Sequence, residues 1–347
     1  MKALIWDGEK ARVINTRPLP RLRDDYILVR TVAVAINPTD CKATSQGRAA
    51  TNGILGCDFA GIVEEVGAKV TKPWKKGHRV FGFAHGANSN NSEDGAFAEF
   101  ITAKRDLCMA TPEKMAFEEA ASVAASAFTC GQGLFEEMKL NTPDNPIGER
   151  QYILIYGGSS SAGSLATQYC KLAGYPVLTT CSPNNNELCR SRGAEAVFDY
   201  NDTNCAQKIR EYAQGELFLV WDTIGSQQGI EICMESMSTK PGHKAYGTIL
   251  LNRITRQDVD YSSSILMTCL GEAFDVLGKH FPAETEKLEF AKRQASLTER
   301  LLREGKLKPH PVRVGGRDFH GVLDEGLPAM LEGIVSGVKL VYRVADT

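Results

Sequence analysis

The spacing of apolar positions changes character partway along the chain. Up to about Ala125 the apolar runs are short and closed by glycines: residues 26–35, partly alternating, then 61–67, 77–82 and 95–101. Short strands with glycine punctuation predict a rolled β-rich domain rather than a second parallel sheet. From Gln151 the pattern differs. Tyr152-Ile153-Leu154-Ile155-Tyr156 is a continuous apolar run, as expected of a strand buried on both faces of a parallel sheet. Gly157-Gly158-Ser159-Ser160-Ser161-Ala162-Gly163 follows, and then Leu165, Ala166, Tyr169 and Leu172 recur at helical spacing. That order predicts strand, tight small-residue turn, helix. Residues 176–181, 196–200, 217–222 and 244–251 read as strands two to five, and 265–270 as a further strand at or near the edge. Strands alternating with helical stretches predict a doubly wound parallel sheet, so the fold class is α/β. Residues 284–305 predict a helix, with Leu288, Ala291, Ala295, Leu297, Leu301 and Leu302 on one face. The polar stretch 88–94 predicts a mobile loop.

Composition narrows the function classes. The chain has 347 residues, enough for two domains, and 43% hydrophobic residues, enough for full cores. Net charge is −2 with no long basic run, so nucleic acid and anionic membrane are not the expected partners. No apolar run reaches membrane-spanning length. Met1-Lys2-Ala3-Leu4-Ile5-Trp6 lacks the apolar core of a signal peptide and reads as a strand. Ten cysteines without a C-x-x-C pair point to a reducing, cytoplasmic setting and away from a cysteine-built zinc site. The six histidines show no metal-ligand spacing.

The turn after the first parallel strand carries candidate chemistry. Backbone N–H groups and the positive end of a helix there can hold a pyrophosphate. The register is Gly158-x-Ser160-x-x-Gly163, with serine where the dinucleotide fingerprint has its middle glycine. Small residues also serve as plain strand-to-helix turns. Cys181-Ser182-Pro183-Asn184-Asn185 stands where the second strand ends. An NAD-binding chain carries Asp or Glu there for the ribose hydroxyls. Hydroxyl and amide donors accept a 2′-phosphate that a carboxylate would repel, so NADPH is expected over NADH. The alternative is an ordinary polar loop.

Further segments carry a resemblance. Ala35-Ile36-Asn37-Pro38-Thr39-Asp40, Gly56-Cys57-Asp58-Phe59-Ala60-Gly61, Lys76-Gly77-His78-Arg79-Val80-Phe81-Gly82, Gly95-Ala96-Phe97-Ala98-Glu99 and Ser336-Gly337-Val338-Lys339-Leu340-Val341 resemble the medium-chain dehydrogenase/reductase family. The match runs over nearly the whole chain. It implies a GroES-like domain at 1–126 and 272–347, and a Rossmann NADPH-binding domain at 127–271. Where the alcohol-dehydrogenase branch binds catalytic zinc, this chain has Asn37, Cys57 and Ala125. One soft ligand cannot hold Zn²⁺, so no metal is expected. Asn37-Pro38-Thr39-Asp40-Cys41-Lys42, Tyr156-Gly157-Gly158-Ser159 and Ser191-Arg192-Gly193-Ala194-Glu195-Ala196 are similar to the stand-alone enoyl reductases that serve fungal polyketide synthases in trans.

The resemblance implies an NADPH-dependent reduction of an α,β-unsaturated polyketide thioester on a carrier protein. The implied partner is a polyketide synthase, including synthase–peptide synthetase hybrids. It implies that Thr39, Asp40, Cys41 and Lys42 lie beside the nicotinamide, with Gly247, Thr248, Val338 and Lys339 on the same side. Ser159, Ser160, Ser161 and Ala162 would hold the pyrophosphate, and Ser182, Pro183, Asn184, Asn185 and Tyr200 the 2′-phosphate end. Lys42 and Thr129 are the candidate catalytic donors; Thr129 is expected near the start of a helix. Cys130, Gly131, Gln132, Gly133, Leu134, Phe135, Glu136 and Glu137, with Thr268, Cys269, Leu270, Gly271 and Glu272, are the expected substrate wall. No side chain stands out as the acid, so water is the expected proton source. A monomer is expected, with a dimer through sheet edges as the alternative. The rival readings are a zinc-independent quinone or alkenal reductase on free small molecules, and a non-catalytic cofactor-bound partner.

Overall fold

The computed structural model describes residues 1–70 and 72–346. They divide into two compact units, Met1–Ala125 with Met267–Thr347, and Ser126–Leu266.

The first unit is built on the strand Tyr26–Ala35. Asp58–Val66 pairs along one edge from Ile27 to Ala35, and the other edge is shared by Phe100–Lys104, over Tyr26–Arg30, and Lys339–Arg343, over Ala33–Ala35. The sheet continues through Arg79–Phe83 to Met109–Ala110 on one side and through Val312–Val314 on the other. Sharing one long strand among several partners rolls the sheet, as the glycine-punctuated pattern implied. Two register irregularities, near Leu28 and Thr31, add to the curvature. Ile27, Val29, Phe59, Val63, Phe97 and Ile101 form its core. The strand expected at 95–101 begins at Phe100 instead. Ala96 and Phe97 are tied back to Gly56 and Leu55, which takes that segment out of the ladder.

The second unit holds a six-stranded parallel sheet in the spatial order Ala196–Asp199, Val177–Cys181, Tyr152–Tyr156, Leu217–Asp222, Ala245–Thr248, Asp260–Ser263. This is the doubly wound order, with the first strand beside the fourth. The chain direction of the crossovers reverses there, which opens a crevice at the carboxyl ends of the strands.

Two expectations are corrected. The run 265–270 is no strand; Leu266–Leu270 forms a 3₁₀ turn, and the sixth strand is Asp260–Ser263 before it. Thr268, Cys269 and Leu270 are buried in succession, which gives the turn the same apolar run as a strand buried on both faces. The polar loop 88–94 is not loose. Asn88 and Asp94 are buried and bonded to each other (2.9 Å), Asp94 pairs with Arg23, and Asn90 and Ser89 hold Asp275 and its carbonyl. Its polar side chains are tied to one another, to Arg23 and to Asp275.

Candidate active site

In the first unit the helix Pro38–Ser45 carries the turn residues. Pro38 stands at its first position, where its missing N–H costs nothing. Asp40 accepts the amide of Asn37 (2.7 Å), which closes the helix start. Lys42 therefore lies within a helix rather than after a turn. Thr39 is exposed, Lys42 half-buried, and Asp40 and Cys41 buried. Cys41 is packed against Leu327, with its Sγ 3.8 Å from the Leu327 carbonyl. Burial lowers the Lys42 ammonium below its usual range, and the Arg48 charge adds to this. No ion pair or side-chain hydrogen bond engages Lys42 among the described residues.

Where a catalytic zinc would stand by resemblance, the chain builds a buried polar cluster. Asp58 is fully buried and accepts from the Ala125 amide (2.7 Å), from Asn37 Nδ2 (2.9 Å) and from the Lys339 ammonium. Lys339 is also buried, and its other donors meet Asn37 Oδ1 (3.0 Å) and the Ser122 carbonyl (3.4 Å). All three of its N–H bonds thus have acceptors within the unit. The neighbouring Val338 is half-buried. The Cys57 thiol donates to Asp40. Burial pushes that thiol well above its usual range, so it stays protonated. Among the described residues no group of three or more His, Cys, Asp or Glu is placed to hold a metal.

Asp40 shifts upward from 3.8 to about 7, chiefly through burial, with the Asn37 amide and Cys57 thiol pulling the other way and Asp58 adding repulsion. Between these values the unfolded chain has released a proton that the folded protein retains. Asp40 therefore stabilises the fold below about pH 4, and this contribution is lost as pH rises through about 7. An Asp40→Asn variant is expected to show a flatter fall of urea midpoint between pH 4.5 and 8 than the parent; an identical slope would contradict this.

The second unit gathers its candidates at the carboxyl ends of the parallel strands. Ser160 caps the helix Ser161–Leu172, its Oγ accepting from Gly163 N (2.9 Å) and lying 3.0 Å from Thr223 Oγ1. The middle serine is thus a cap. Gly163 cannot be replaced so easily, since a Cβ there would meet the Gly157 carbonyl at 2.2 Å. Gly157 itself takes φ +83, and its amide and that of Gly158 are tied to Thr180. The Ser161 hydroxyl meets Ser126 (2.8 Å). Ser159 to Ala162 are half-buried, at the start of a twelve-residue helix. A cradle this tight, at a helix N-terminus, fits a pyrophosphate. Ser182, Pro183, Asn184 and Asn185 follow the second strand, with Asn185 Nδ2 donating to Ser182 Oγ (3.1 Å). Tyr200 follows the third strand, and its carbonyl is held by Gln228. Gly247 and Thr248 close the fifth strand and are buried.

The expected substrate wall is more interior than its pattern suggested. The helix containing Thr129 begins at Ala124, so Thr129 is near its end, half-buried; the axis then widens into a π-type turn over Gly131–Glu137. Gly131, Gln132, Gly133, Leu134 and Phe135 are buried, Glu136 and Glu137 half-buried. A Cβ on Gly133 would meet the Trp221 indole nitrogen at 2.4 Å. Cys130 Sγ reaches the Ala162 carbonyl (3.2 Å). In the first unit Thr268, Cys269 and Leu270 are buried, while Glu272, after Gly271, accepts from Tyr26 and Lys104 (2.6 Å each).

Asp222 was missed. It is fully buried at the end of the fourth strand, accepts from the amides of Ile224 (2.8 Å) and Gly225 (2.9 Å), and receives the Tyr246 hydroxyl (2.8 Å). It fixes the loop beside the first strand's turn. Its only trace in the sequence is a carboxylate ending an otherwise apolar run, Leu217-Phe218-Leu219-Val220-Trp221-Asp222.

Residues 23–113 match the alcohol dehydrogenase GroES-like domain. The chain is 48% identical to trans-enoyl reductase TOXD of Cochliobolus carbonum over 275 residues, covering 79% of this chain and 91% of that protein. It is 39% identical to trans-enoyl reductase resD of Aspergillus sclerotiorum, covering 99% of this chain and all of the relative. This chain belongs to the trans-enoyl reductase family. As a trans-enoyl reductase it is an oxidoreductase acting on a carbon–carbon double bond. Two solved structures share its fold. CurK enoyl reductase superposes with a TM-score of 0.76 at 19% identity, covering 99% of this chain and 98% of that one. An alcohol dehydrogenase superfamily protein from Novosphingobium aromaticivorans superposes with a TM-score of 0.81 at 20% identity, covering 99% of this chain and 100% of that one. In this trans-enoyl reductase no helix among the described residues is long and apolar enough to cross a membrane.

Proposed function

We propose that the protein reduces the α,β-double bond of a carrier-bound polyketide thioester, using NADPH, for a polyketide synthase that it serves in trans. The observation that carries this reading is the uncommitted, half-buried Lys42 on a helix whose Asp40 and Thr44 side chains are engaged by the backbone. NADPH, when bound, supplies a hydride to the β-carbon. The chain supplies position and charge. Ser159, Ser161 and Ala162 offer backbone N–H groups to the pyrophosphate, and Ser182, Asn184, Asn185 and Tyr200 offer donors to the 2′-phosphate. Lys42 stabilises negative charge on the thioester oxygen or holds the nicotinamide ribose, and the Thr129 hydroxyl acts as a second donor. Asp58 and Lys339 hold Asn37 and so fix the start of the helix that carries Lys42. Burial keeps the Cys57 thiol protonated and unreactive beside them.

Stopped-flow NADPH oxidation tests the reading. A 2-methyl-enoyl N-acetylcysteamine thioester is expected to consume NADPH faster than quinones or free alkenals do; the reverse order would favour a reductase of free small molecules. For the cofactor, Ser182→Asp is expected to lower the NADPH:NADH ratio of kcat/KM by about tenfold or more, about 1.4 kcal/mol of repulsion. An unchanged ratio would remove Ser182 from the phosphate site.

A further inference from the structure

Past the helix Pro38–Ser45 the chain folds back on itself. Gly47 takes φ +64, its amide points to the Thr44 carbonyl (3.4 Å), and the Arg48 amide donates to the Ala43 carbonyl (2.9 Å). This is a Schellman closure, in which a left-handed glycine lets the chain reverse over the helix end. It returns Arg48 to the flank of the helix that carries Lys42. Arg48 Nε is buried and has no hydrogen-bond partner in the protein. Neither Arg48 nor Lys42 is paired with a carboxylate among the described residues, and each lies within the other's field. Like charges held together without a counter-ion are unfavourable, and an unbonded buried N–H adds to the cost. An anion set against the guanidinium would relieve the repulsion. The guanidinium fork suits a phosphate in particular.

We propose that Arg48 binds the phosphate ester of a phosphopantetheine arm, with Lys42 further along the arm at its thioester end. This rests on the carrier-bound thioester reading above. On that reading the cofactor's own phosphates are held by Ser159 to Gly163 and by Ser182 to Asn185. The phosphate left over in that reaction is the one joining the arm to its carrier.

The test compares an enoyl thioester of 4′-phosphopantetheine with the same acyl group on pantetheine, in the full-length protein. The parent is expected to prefer the phosphorylated substrate in kcat/KM. Arg48→Ala is expected to reduce that preference about 10–100-fold, the range for a charge-assisted hydrogen-bonded pair, with Arg48→Lys recovering part of it. Circular dichroism of each variant checks that it is folded. Equal preference in parent and Arg48→Ala would overturn the proposal. A rise in the KM for NADPH with the preference intact would assign Arg48 to a cofactor phosphate and overturn it equally. Were neither thioester reduced by the parent, the enzymatic reading would fail. Calorimetric titration with free phosphopantetheine and pantetheine then decides the site: tighter binding of the phosphorylated compound, lost in Arg48→Ala, supports it, and equal binding rejects it.

Discussion

Lys42→Ala is expected to lower kcat/KM for an enoyl thioester about 10²–10³-fold, the loss seen when one well-aimed donor to a developing oxyanion is removed. The size follows from the environment. A half-buried ammonium without a counter-ion acts through a lower dielectric than a solvated lysine, and it needs no reorganisation to receive negative charge. The same burial, with Arg48 nearby, sets Lys42 below its usual range, so the alkaline limb of the parent's pH–rate profile should fall earlier than an ordinary lysine would dictate. In Lys42→Ala that limb should vanish while the thermal midpoint stays close to the parent's. Loss of activity with an unchanged alkaline limb would mean that another group titrates. A fall below threefold would move Lys42 to the protein surface in function as well as in charge.

Lys339→Met is expected to destabilise the first unit by about 3–5 kcal/mol, because it strands a buried carboxylate. Asp58 would keep the Ala125 amide and Asn37 Nδ2 but lose its cation. The double variant Asp58→Leu with Lys339→Met should recover most of the loss, since replacing a buried pair by apolar groups is often neutral. Urea unfolding followed by tryptophan fluorescence measures both, Trp74 lying in the core of this unit. Equal destabilisation in the single and double variants would show that the pair acts by packing alone. Should Lys339→Met leave stability untouched and raise the KM for NADPH, the lysine would belong to the cofactor rather than to Asp58.

How much of this was legible beforehand depends on the range of the interactions. The first five parallel strands and the turn at Gly157 were readable because a strand buried on both faces must be apolar throughout. The Leu266–Leu270 turn was misread for the same reason: a short apolar run looks alike in a strand and in a buried 3₁₀ turn. The loop 88–94 reads as solvated because its partners Arg23 and Asp275 are far along the chain. Arg48 and the Asp58–Lys339 pair left no local pattern, and Asp222 only a carboxylate closing an apolar run, since its partner Tyr246 is brought to it by the fold. Asp58 and Lys339 are 281 residues apart.

By itself the sequence determined the alternation of elements, the small-residue turn at a helix start, and the missing carboxylate at the end of the second strand. All of these are set by neighbours within a few residues. The tertiary structure alone decided which charges are buried, which are neutralised, and which are left over. A lysine's ordinary state is solvated and charged. Whether it becomes a structural cation like Lys339 or an uncommitted one like Lys42 depends on which distant carboxylate the fold carries to it, and local sequence holds no record of that distance.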